Sequence, residues 1–146
     1  MSSLPEEILG DIVSALRSSG QFSLVTLGPA REATTIPRAA VCLEGLDFFP
    51  ADDERTAQWA RLRVRVVLHT RSQSPTRSNE REIEICQAAA TAILADPYRG
   101  GRCADLPIGR SSEAGRFDPA PATPKGNEVE ASFTLRCHFV AQEESA

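Results

Sequence analysis

The chain has no apolar run approaching the ~20 residues that a membrane-spanning helix needs. Its start, Met1-Ser2-Ser3-Leu4-Pro5-Glu6-Glu7, lacks the basic-then-apolar order of a secretory signal. These absences predict no membrane partner, and function starting from the cytoplasm. None of the four cysteines, Cys42, Cys86, Cys103 and Cys137, forms a C-x-x-C unit, and their spacings match no common zinc module. They read as reduced thiols, several of them buried as small apolar groups. Positive charge is not in excess: 16 Lys and Arg stand against 20 Asp and Glu, for a net charge of -4. That argues against a dedicated nucleic-acid binder, which carries a basic face, though a local basic patch stays open. His69 and His138 are the only histidines, and no Ser, Cys or Asp lies at a known catalytic spacing from either. Cys137 and His138 are neighbours on a predicted strand, point to opposite faces, and cannot share a metal as a simple pair. Both histidines read as ordinary strand-surface residues. No repeat is present, and neither a metal nor a cofactor is expected.

What is present is the material of one α+β domain over residues 1–146. Ser3 and Glu6 make a capping box with Pro5 in the first turn. Leu4, Ile8, Leu9, Ile12, Val13 and Leu16 then recur at helical spacing, up to a left-handed stop at Gly20. Short strands are predicted at Ser23 to Leu27 and Ala39 to Glu44. Gly45 to Gln58 reads as a connection, opening on Phe48-Phe49 and centred on Asp52, Asp53 and Glu54. Trp59 to Thr70 alternates strictly: Leu62, Val64, Val66 and Leu68 on one face, Arg61, Arg63, Arg65 and Val67 on the other. This is a half-buried antiparallel strand, long enough to bend or to project beyond its sheet. A second helix is predicted over Glu80 to Ala95, capped by Ser78 or Asn79. Its core stripe is Ile83, Cys86, Ala89, Ala90, Ile93 and Leu94, and it is stopped by Asp96-Pro97. Tyr98 to Asn127 is the least regular stretch. A short strand is possible around Cys103 to Ile108, and an irregular loop covers 109–127. Glu128 to Val140 is the last strand, with 141–146 frayed. Its core face is Val129 to Phe139 by twos. Glu128, Glu130, Ser132, Thr134, Arg136 and His138 take the other face. The expected architecture is an antiparallel sheet with long strands and both helices packed on one face.

The row Arg61, Arg63 and Arg65 presents three guanidinium groups on one surface. No aromatic residues interleave as stacking platforms for bases, so salt bridges within or between subunits are favoured over phosphate contact. Glu128 and Glu130 are the expected cross-strand partners. Asp52 and Asp53 lack the spacing of a calcium loop and read as a solvated acidic turn. Phe48 and Phe49 are either a contact anchor or residues tucked under the loop.

The opening helix, the long antiparallel strands and the segment AILADPYRGGRCADLPIG after an Ala-rich helix resemble the tail-terminator, or tail-completion, proteins of long-tailed bacteriophages. The closing strand VEASFTLRCHFVAQ (Val129 to Gln142) adds to the resemblance, which covers nearly the whole chain in element order. It implies a structural virion protein and no enzyme. Such proteins form a homohexameric ring that caps the tail tube protein, stops tube growth and meets the head connector or stopper. DNA only passes through the lumen, and assembly takes place in the host cytoplasm. Phe48, Phe49, Asp52, Asp53, Arg61, Arg63, Arg65, Glu128 and Glu130 are then candidate contacts to neighbouring subunits, tube or connector. Another head–tail connector component shares this logic. A small ligand-binding domain or enzyme would instead need convergent polar groups in a pocket.

Overall fold

A computed structural model describes residues 3–29, 35–49, 57–72, 77–96, 98–103, 117–120 and 128–143. Helix α1 spans Leu4–Ser18. Ser3 Oγ accepts a hydrogen bond from the Glu6 N–H at 3.3 Å, satisfying one of the open donors of the first turn. Ile8, Ile12, Val13 and Leu16 are buried, with Leu4 and Leu9 packed at the margin. Gly20, at φ +71°, supplies the left-handed stop.

The strands are β1 (Leu24–Leu27), β2 (Arg38–Phe48), β3 (Ala57–Arg71), β4 (Phe117–Ala120) and β5 (Glu128–Glu143), with α2 (Ser78–Leu94) between β3 and β4. They form one sheet in the order β1-β2-β3-β5-β4. Both helices lie on the same face, in a single core with Val41, Val64, Val66, Phe133 and Leu135. The α+β class and the mostly antiparallel pairing are as the alternation predicts.

β2 runs on through Phe48 and β3 begins at Ala57, so part of Gly45 to Gln58, read as a connection, is strand, because the bulge keeps Leu46 and Phe48 paired with Leu62 and Ala60. Four further details differ from the sequence reading. First, β1 runs parallel to β2. Second, a strand, β4, lies inside the segment read as irregular. Its four residues include Pro119, and proline is tolerated because β4 is an edge strand. Third, β5 continues past Val140 to Glu143, because Gln142 and Glu143 pair with Gln58 and Ala57.

The fourth concerns α2. It begins at Ser78 with no side-chain cap, and its buried row is Ile85, Ala89 and Ile93. Ile83 is 65 % exposed, and Leu94 also faces out. The helix is apolar nearly all round in its second half, so period alone leaves two orientations open. Arg81 selects between them. It lies one turn before Ile85, and its Nε and Nη2 donate to Thr70 Oγ1 on β3 at 3.2 and 2.9 Å. Thr70 is buried, so these bonds form away from water and are directional.

The short strand expected near Cys103 to Ile108 lies almost wholly outside the described residues.

Candidate assembly surface

Strands β2, β3 and β5 outrun their neighbours. Along β2, β1 pairs only with Arg38 to Val41. Along β5, β4 pairs only with Ser132 to Leu135. Among the described residues, the outer edges of β2 over 42–48 and of β5 over 136–143 therefore have no strand beside them. Both lie at the end of the sheet where β3 begins, so among the described residues this end is three strands wide.

A bulge sets the chemistry of the β2 edge. Leu43 stands opposite Val64, and Gly45 opposite Arg63, with Glu44 as the extra residue. The bulge shifts the alternation by one. Leu43, Leu46 and Phe48 consequently share the helix-bearing face with Val64, Leu62 and Ala60. Their cross-strand neighbours are fully buried, but Leu43 is 59 % and Phe48 56 % exposed. Leu27, beside Val41, is exposed as well. A row of apolar side chains thus runs along the β2 edge with neither helix over it.

At Gly45 a side chain from β3 crosses the bulged strand. The Arg63 guanidinium lies across it, and an added Cβ would stand 2.7 Å from Arg63 Cζ. From there Arg63 Nε reaches Asp47 Oδ2 at 3.1 Å. Both partners are more than a third exposed, so the pair adds under ~1 kcal/mol to stability.

The arginine row does occupy the face away from the helices, yet Glu128 and Glu130 are not its partners. Pairing puts Arg71 opposite Glu128 and His69 opposite Glu130, while Arg61, Arg63 and Arg65 face His138, Arg136 and Thr134. The apolar residues of β3 and β5 fix this register, because a slip of one would turn each set toward the arginines. Arg65 Nη2 donates to Ser132 Oγ at 3.3 Å. Thr134 Oγ1 donates to Glu44 at 2.9 Å.

Arg61 belongs to a more enclosed group. Its Nε–H donates to His138 Nε2 at 3.2 Å. A ring nitrogen that accepts is unprotonated, so this bond selects the tautomer with its proton on Nδ1. Arg61 also stacks over the Phe49 ring at 5.1 Å, and Phe49 lies 6.2 Å from the imidazole. His138 is 2 % exposed, which corrects the surface reading; Phe49 and Arg61 roof it. Phe48 and Phe49 point to opposite faces, one open and one half-buried. Asp52 and Asp53 lie outside the described residues.

His69 is held below the ordinary imidazole value of 6.5, by partial burial first and by Arg38 second, against Glu130 and Glu128. Near pH 7 the imidazole is therefore neutral, and its 4.0 Å approach to Glu130 is not an ion pair. Below pH 6.5 the unfolded chain takes up this proton before the folded one, so stability falls as pH drops through that region. Urea titrations from pH 8 to pH 5 should show a shallower loss in His69→Asn than in the native chain.

No family model matches this chain, and no curated protein is found similar to it. Its chemistry therefore has to be read from the surface itself. Among the described residues no three His, Cys, Asp or Glu side chains gather as metal ligands, and no helix is long and apolar enough to cross a membrane. An open cleft of about 370 Å³ is lined by Arg71, Ser72, Arg77, Glu80, Arg81 and Glu84. It mixes both signs of charge, and Arg81 is already committed to Thr70 and Glu84. The apolar row of Leu43, Leu46 and Phe48 is the feature missed by pairing residues two apart. Its signal was a phase change at Glu44-Gly45.

Proposed function

We propose that this chain is a ring-forming structural subunit, a tail terminator of a long-tailed bacteriophage that caps the tail tube and meets the head connector. The observation that supports it is a pair of unlike edges, at one end of the sheet, with no strand beside them among the described residues. β2 and β5 both run antiparallel to β3, hence parallel to each other. The β5 edge of one copy can thus lie beside the β2 edge of the next with every copy in the same orientation. Contact between two different patches is heterologous, and it closes into a ring when the rotation divides a full turn. The resemblance in element order supplies the number six and the place on the tube.

The energetics suit assembly. A paired stretch of seven residues at roughly 3.3 Å each is about 23 Å long. Covering Leu43, Leu46 and Phe48 would add on the order of 1 kcal/mol each. Glu44 and Asp47, on the opposite face of the same edge, help set register and partner choice.

Negative-stain electron microscopy over a concentration series, with light scattering on the same samples, tests the reading. Six-fold rings with a DNA-sized hole are expected, either free or on isolated tails. The variant Leu43→Lys with Leu46→Lys places charge on the edge, which blocks strand addition. It should stay folded, within about 0.5 kcal/mol of the native chain because both sites are exposed, and form no rings. A native chain that remains monomeric and leaves isolated tails uncapped would overturn the proposal.

A further inference from the structure

The apolar row on the β2 edge has a counterpart on α2. Ile83, Leu94 and, in the turn after the helix, Tyr98 all face out, Leu94 at 39 % exposure. The direction of Leu94 follows from helical geometry. At about 100° per residue, Arg81 stands about 80° to one side of buried Ala89, and Leu94 about 140° to the other. Arg81 reaches Thr70 on β3, and α1 lies beyond β3, over β1 and β2. Leu94 therefore looks the other way, outward over β5 and away from the β2 edge.

Its level follows from chain length. α2 starts where β3 ends, and Ile85, Ala89 and Ile93 hold it on the core throughout. It therefore runs back toward the end of the sheet where β3 begins. From Arg81 to Leu94 it advances about 20 Å, which is about six residues of strand, from Thr70 to Val64. Leu43 stands opposite Val64. Leu94 at one flank and the start of the apolar row at the other thus share a level, and both lie on the helix-bearing side.

We propose that the flank of α2 at Leu94 is a docking surface for a second copy of this chain, whose Leu43, Leu46 and Phe48 it covers. This docking rests on the ring reading and adds an apolar contact to its two strand edges. Seven paired residues cover a strip about 23 Å long and about 10 Å across, roughly 230 Å² per copy, against ~800 Å² on each side of a stable interface. Surfaces beside the edges must therefore meet as well. Copies related by rotation alone take no step along the axis, so levels that match within one copy match between neighbours. Leu46 and Cys137 both stand opposite Leu62, and Phe48 and Phe139 both opposite Ala60. The β5 end of one copy then lies beside the β2 end of the next, with the end of α2 above the row. On the arginine face, Gly45 and Arg136 both stand opposite Arg63. Arg136 of one copy accordingly meets Glu44 and Asp47 of the next, and the opposite charges favour this pairing of edges over β2 with β2. β1 and β4 occupy the two edges farther along, which keeps the copies apart there. Ile83, near the level of Thr70, lies in that separated part and makes no contact with the row.

Light scattering and negative-stain microscopy of the full-length chain, over a concentration series and on isolated tails, test the surface. Leu94→Lys should raise the concentration needed for association about tenfold. Ile83→Lys should leave it unchanged. Both sites are exposed, so circular dichroism should show both variants folded. Leu46→Glu with Leu94→Lys in one chain should restore association, because each contact then joins opposite charges. For a direct reading, copies with Leu46→Cys are mixed with copies with Leu94→Cys, all carrying Cys42→Ser and Cys86→Ser. A short bismaleimide should join them, and should not join Leu46→Cys copies to Ile83→Cys copies. Rings that ignore Leu94→Lys, or crosslinks to Ile83→Cys in place of Leu94→Cys, would overturn this surface and leave the ring reading standing. Association into open filaments that depends on Leu94 would support the surface and sink the ring. A native chain that never associates, free or on tails, would sink both.

Discussion

Replacing Arg99 by alanine should cost about 3 kcal/mol of stability, as much as a large cavity in the core. Arg99 is 3 % exposed. Its Nε donates to the Asp96 carbonyl at 2.6 Å, and Nη2 reaches the carbonyls of Ile93 and Asp96. Ile93 belongs to the last turn of α2 and Asp96 to the turn after it, and each carbonyl also accepts a backbone N–H, from Asp96 and from Arg99. Nη1 stands 3.3 Å from Asp11 Oδ2 on α1, so one guanidinium ties the two helices together. Without it the carbonyls lose a charged donor, and Asp11, among the described residues, is left with Arg102 at 3.9 Å. Asp11 is about a third exposed, which holds the figure at the low end for a broken buried pair. Arg99 also has φ +48°, a conformation that costs a non-glycine residue about 1 kcal/mol. Arg99→Gly should therefore be less damaging than Arg99→Ala by that amount, although both lose the side chain. Urea unfolding of the two variants gives both numbers. A loss below 1 kcal/mol in Arg99→Ala would show that the clamp is not needed.

Leu62→Ala should cost about 3 kcal/mol, and Leu46→Ala less than 1. The two leucines are cross-strand neighbours on one face, 0 % and 38 % exposed. The same truncation leaves a cavity at Leu62 and only trims a surface at Leu46. In dilute solution the pair measures where helix cover ends. Under conditions that favour rings, the order should narrow, because only Leu46 lies where a neighbouring copy would be seated. Equal losses in the dilute chain would mean that the β2 edge is covered from within.

Much of this fold was legible because its strongest signals were local. Ser3 to Gly20 carries a cap, a stripe and a stop in one stretch, and Leu62 to Leu68 alternates without a break. What escaped depended on partners distant in sequence. The parallel pairing of β1 with β2 leaves no mark on either strand. The side of α2 facing the core was decided by Thr70, and no period within the helix contains that residue. β4 holds a proline and no alternation, so only β5 beside it makes it a strand. At the candidate surface, the arginine row was placed on the correct face. Its partners were misassigned because register is set by the apolar side of the strands, which says nothing about which charges end up opposite. His138 looked exposed by parity, and it is covered by Phe49 arriving from the far side of β3.

The extra residue at Glu44 acts as a parity switch. Upstream of it, β2 is an interior strand with small residues on both sides. Downstream, the same strand turns every bulky side chain toward one face and every charge toward the other. Were Glu44 paired in turn instead of bulging out, each later residue would slip by one, Leu46 would stand opposite Arg61 among the arginines, and Asp47 opposite Ala60 on the apolar side. The bulge absorbs that slip, so Leu46 stays opposite Leu62 and Phe48 opposite Ala60. One residue left out of the ladder thus keeps the apolar side chains of the β2 edge in a single row.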